Sequence, residues 1–123
     1  MTISREDVEL LLRLDEVHGP SREAKQFIWS DVLERVVSAG TFFDSYTLDS
    51  DERFHVNEIA TYYEMAGLLW HSGVVSQEAV FEWVPAAMYW ARLGPVLTQA
   101  REVFGAESLW EHFEALATAQ SSG

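Results

Sequence analysis

Apolar residues recur along this chain three and four positions apart, the spacing that gathers them on one face of an α-helix, and no stretch alternates as a strand would. The first such row is Val8, Leu11 and Leu12 with Leu10, Leu14 and Val17. Ser4 stands before it as an N-cap, acids follow in the first turn, and Gly19-Pro20 closes it. Ser21 opens a second row, Ile28, Trp29, Val32, Leu33, Val36 and Val37, which predicts one continuous helix up to Ser38-Ala39-Gly40. Thr41 to Leu48 has no helical period and no partner strand. It reads as a packed loop anchored by Phe42, Phe43 and Tyr46.

Asp49-x-x-Glu52 has the form of a capping box for a long third helix reaching about Ser72, with Ile59, Tyr62/Tyr63, Ala66 and Leu69/Trp70 as its face. Ser76 caps the next helix, and Val75 and Val80 occupy the two positions of a hydrophobic staple. Trp83, Trp90, Leu97 and Phe104 recur every seven residues, nearly two turns, and so predict a shared face. Pro85 suits a first turn, where its missing N–H is harmless. The pattern therefore predicts a short helix near 77–83 and a long one near 85–104, bent around Gly94-Pro95. Gly105 ends it, and Ser108-x-x-Glu111 reads as a capping box for a last helix that buries Leu109, Phe113 and Leu116, with Ser121-Ser122-Gly123 a frayed tail. The expected fold is all-α, a compact bundle of five to six helices in a single domain over residues 1–123.

Charge changes the picture of partners. The chain carries 20 acids against 8 bases, a net −12, shared evenly between its halves. Phosphate binding needs clustered Lys and Arg, so nucleic acid and anionic lipid are not expected partners. An acidic decoy that mimics nucleic acid would need its carboxylates on one face, and no such stripe is present. Cysteine is absent, which removes disulfides, thiolate metal sites and a Cys nucleophile and fits a cytoplasmic setting. The first residues lack a cationic-then-apolar signal pattern, Thr2 excludes myristoylation, and no apolar run is long enough to span a membrane.

Candidate chemistry is sparse. Glu52-x-x-His55 has the spacing that di-iron bundles use twice, but it occurs once. Glu58, Tyr63, Glu64 and His71 could extend it into a ligand or metal site between helices. His18, His55, His71 and His112 form no zinc motif, and no nucleophile elbow, phosphate loop or dinucleotide fingerprint is present. No cofactor is expected. Glu64, set among Tyr62, Tyr63, Met65, Ala66 and Leu68, cannot be buried alone without a cost of several kcal/mol. Arg101 lies on an otherwise apolar face, three turns from Trp90. The expectation is a buried Glu64–Arg101 pair, with Glu114 as the competing partner and the Tyr63 hydroxyl and Trp90 indole N–H satisfying leftover groups.

From about Phe54 to Ala117 the chain resembles a bacterial family known as domain of unknown function 4760. Thr61-Tyr62-Tyr63-Glu64 resembles its Asn-aromatic-aromatic-Glu element, with Thr61 in place of the usual Asn. Gly73-Val74-Val75-Ser76-Gln77-Glu78 resembles its glycine turn and polar helix start. Tyr89-Trp90, the spacing from Pro95 to Arg101, and Phe113-Glu114-Ala115-Leu116 resemble three further landmarks. Many members carry an N-terminal membrane helix, where this chain has a polar helical start. The resemblance implies helical architecture and supplies no activity, catalytic residue or cofactor. The expected role is a non-enzymatic module for protein interaction or self-association, including homodimerisation, and the alternative is a ligand- or metal-binding helical protein with its site around Glu52–His71.

Overall fold

The computed structural model describes residues 3–122, so Thr2 and Gly123 lie outside the described residues. Among the described residues there are eight helices and no strand: α1 (Arg5–His18), α2 (Arg22–Ile28), α3 (Asp31–Ala39), α4 (Phe42–Ser45), α5 (Asp51–His71), α6 (Gln77–Trp83), α7 (Ala86–Phe104) and α8 (Glu111–Ser122). The all-α class is observed; the count of five to six helices is corrected to eight.

Two sequence features account for the extra helices. The Ser21–Gly40 segment is split at Trp29-Ser30. There the Ser30 hydroxyl accepts from Leu33 N–H and caps α3. Arg92, on α7, donates to the carbonyls of Ile28 and Ser30, both at 2.7 Å, so the end of α2 is satisfied by a distant cation. The break turns Trp29 and Val32 outward, and both are exposed rather than in the predicted core row. The expected loop at Thr41–Leu48 contains α4. Arg53 donates to the carbonyls of Phe43 and Tyr46, which seats that single turn on α5.

Other boundaries follow local chemistry. Ser4 and Asp7 form a reciprocal capping box on α1. Ser50, rather than Asp49, caps α5 by accepting from Arg53 N–H. Val75 and Val80 are both buried beside the Ser76 cap, as the staple predicts. Pro95 sits inside one continuous α7, and the Thr98 hydroxyl donates to the Gly94 carbonyl at 2.9 Å. The seven-residue stripe is not one face: Trp83 belongs to α6, Leu97 is buried, and Phe104 is exposed. The predicted frayed tail is instead helical through Ser122.

The core is one cluster. Leu11, Ile28, Leu33, Ile59, Leu93, Phe113 and Leu116 are fully buried in it. Helix α5 lies along α8 at its C-terminal half. A Cβ on Gly67 would stand 2.3 Å from the His112 carbonyl oxygen, so glycine there permits the backbones to meet.

Candidate functional site

The start of α8 answers the question that Glu64 raises. Ser108 does not cap this helix, which begins at Glu111 after Trp110, a non-glycine residue held at φ +63°. Its first-turn donors are met from α5 instead. Glu64 Oε1 accepts from the backbone N–H of His112 at 3.0 Å and of Phe113 at 2.9 Å, and Oε2 lies 2.7 Å from His112 Nδ1. A carboxylate is well placed at a helix N-terminus, where the orphan N–H groups and the helix dipole both favour negative charge.

The expected Glu64–Arg101 pair is therefore corrected. Arg101 pairs with the competitor Glu114 at 2.8 Å and donates from Nε to the Leu109 carbonyl at 2.8 Å, pinning the α7–α8 connection. The reason is geometric. Glu64 reaches two backbone N–H groups that have no intrahelical partner, and Arg101 reaches a carbonyl of the loop between α7 and α8. Tyr63 and Trp90 do not hydrogen-bond to this cluster. Tyr63 stacks on Phe113 with ring centres 5.0 Å apart, and Trp90 meets the same Phe113 edge-on at 5.0 Å. Glu64–His112 has the form of an acid–imidazole dyad, but no hydroxyl side chain bonds to His112 among the described residues. Its nearest aromatic neighbour is the His71 ring at 5.3 Å.

Glu52 and His55 do not assemble a metal site. Among the described residues, no three His, Asp or Glu side chains are grouped closely enough to hold an ion. His55 Nδ1 is buried without a hydrogen-bond partner, its ring against Phe27. Glu58 is taken by Ser21, accepting from its backbone N–H and hydroxyl at the start of α2. Asp7 plays the same part for α6. It accepts from Ser76 Oγ at 2.9 Å and Ser76 N–H at 3.3 Å. Burial opposes its charge, and the hydrogen bonds from Ser76 and Ser4 outweigh that, holding its carboxyl below the ordinary aspartate range. Glu58 and Glu64, two candidate ligands in the sequence, and Asp7 are thus latches between segments of the fold.

Two of the concavities stand out by their lining. The first is an apolar groove of about 340 Å³ between α4, the start of α5, the second half of α7 and the α7–α8 connection. Leu48, Phe54, Leu97, Phe104 and Trp110 line it, and Leu48, Phe54 and Phe104 are 73 %, 70 % and 52 % exposed. Arg53 borders it, but its guanidinium is committed to the α4 carbonyls and to the Phe43 ring, 4.8 Å away. The second is a cavity of about 490 Å³ bordered by Asp15, Lys25, Tyr62, Tyr63, Trp83 and Tyr89. Asp15 accepts from the Tyr62 hydroxyl at 2.5 Å and from the Trp83 indole N–H at 3.1 Å. Burial foremost, then the Asp15 hydrogen bond and charge, raises the Tyr62 phenol above its ordinary range. Burial foremost also raises Tyr63. Sequence reasoning named neither Asp15 nor Phe54. The available signal for Phe54 was its place on α5, roughly opposite the row Val56, Ile59, Tyr63 and Ala66.

A helical chain whose acids serve as inter-helix latches, with no assembled metal group among its described residues, defines an all-α domain organised around packing. The chain belongs to the family described as a domain of unknown function (DUF4760), which matches residues 16–120 and so begins well before Phe54, within α1. No curated protein and no solved structure matches the chain. No helix among the described residues is long and apolar enough to cross a membrane.

Proposed function

We propose that this chain is a non-enzymatic protein-interaction module whose docking surface is the groove between α4, α5 and α7. The observation that carries this reading is the exposure of Leu48, Phe54 and Phe104 around one concavity. Clustered apolar exposure marks interaction surfaces, whereas scattered apolar residues do not.

Charge selects the occupant. Exposed Asp44, Asp49, Asp51, Glu102 and Glu107 each lie within two residues of a lining residue. The cations of the same segments, Arg53 and Arg101, are bound to carbonyls and, for Arg101, to Glu114. An apolar floor with an acidic rim suits the apolar face of a cationic amphipathic helix from a partner protein. A second copy of this chain would bring the same acidic rim to the contact.

The test uses two synthetic helical peptides with one leucine face, lysine-rich in one and glutamate-rich in the other. Binding is read by fluorescence anisotropy. The lysine-rich peptide is expected to bind, and Phe54→Ser with Phe104→Ser to weaken it roughly tenfold or more. The glutamate-rich peptide is expected not to bind. Equal binding by the double variant would overturn the groove as the site. Sedimentation showing a dimer that Phe54→Ser dissociates would assign the groove to self-association.

A further inference from the structure

The second cavity carries an inference independent of the groove. We infer that the cavity between α1, α2, α5, α6 and α7 is a binding site for a small primary ammonium compound, held by Asp15, Tyr63 and Tyr89. Tyr63 is 4 % and Tyr89 8 % exposed, and both border the cavity. Neither hydroxyl is hydrogen-bonded among the described residues, and neither is among the fully buried polar atoms, so both oxygens stay open to an incoming donor. Asp15 is held from two sides by Tyr62 and Trp83, which fixes the carboxylate while leaving acceptor sites on both oxygens. It forms no ion pair among the described residues.

An ammonium group offers three N–H donors, and the cavity offers one carboxylate and two phenol oxygens. The covered Tyr63 ring and the unmatched oxygens argue against a quaternary ammonium. One face of Tyr63 is stacked on Phe113 at 5.0 Å, and Tyr89 lies against the ring at 4.8 Å. Tyr63 therefore has no open π face, and a cation without N–H groups would leave the oxygens unmatched. Burial foremost raises the Tyr63 phenol, so it accepts from the ligand without adding charge. Lys25 is exposed at the border and is the one cation lining it among the described residues, a like charge that the ligand must displace.

The experiment follows the Trp83 indole N–H signal in ¹H–¹⁵N spectra of the full chain at constant ionic strength. The titrants are 1,4-diaminobutane and tetramethylammonium chloride. The diamine is expected to give a saturable shift, and tetramethylammonium and the Asp15→Asn variant to bind roughly tenfold more weakly or worse. Lys25→Ala is expected to tighten the diamine. Should Asp15→Asn unfold, Tyr89→Phe removes a single oxygen and is expected to weaken the diamine with the fold intact by circular dichroism. A non-saturating response, equal midpoints for the two titrants, or weaker diamine binding in Lys25→Ala would overturn the assignment.

Discussion

Phe54 and Glu64 stand on the same helix, and each occupies the environment expected of the other. Phe54, near the start of α5, is 70 % exposed and lines a groove, while Glu64, past its middle, is turned into the packed contact with α8. The glutamate is settled there because every oxygen has a donor. The phenylalanine has no such closure, since α4 is a single turn and the α7–α8 connection stops short of covering it. Residue type alone therefore misreads both residues. A half-buried charge is tolerated where helix termini supply matching groups, and an apolar ring stays in water where no neighbouring element reaches over it.

The comparison is broken most severely at Glu64. Glu64→Ala removes the acceptor for two first-turn N–H groups and the His112 contact. The expected loss is about 3 kcal/mol in urea unfolding. A loss below about 1 kcal/mol would mean that water replaces the cap without cost. Gly67→Ala comes next. Alanine should favour an exposed helix by about 1 kcal/mol, yet here its methyl meets the His112 carbonyl, so a net loss of about 2 kcal/mol is expected. Any gain in stability would show that α5 and α8 have slack between them. Phe54→Ser sharpens the other end. Stability is expected to stay within about 0.5 kcal/mol, because a side chain this exposed contributes little to the core. A loss above about 1.5 kcal/mol would make Phe54 a structural residue and would remove it from any docking surface.

The helical class was legible because the apolar period is repeated and its stops are chemically plain: Ser4, Ser21 and Ser76 cap helices, and Gly105 ends α7 at φ +63°. The helix count was less legible. The break at Trp29-Ser30 depends on Arg92, more than sixty residues away, donating to two carbonyls that a local reading assigns to a continuous helix. The same limit governs the site. That Glu64 needs a partner follows from its apolar neighbours. Which partner it takes depends on where α8 begins, and that was hidden because Ser108-x-x-Glu111 imitates a cap. Arg101 took the weighed alternative, Glu114. Asp15 left no local trace, because its donors, Tyr62 and Trp83, come from helices far along the chain.

The amides of His112 and Phe113 are fastened by a residue 48 and 49 positions earlier. Helix α8 therefore lacks a local start signal, and its first turn closes only once α5 is in place. On the ribosome, α5 emerges before α8, so the initiator is made before the helix it starts. In native-state hydrogen exchange, these two amides should open together with the middle of α5 rather than with the end of their own helix. Helix α8 acts as a clasp, and the direction of synthesis means that what it fastens to is made first.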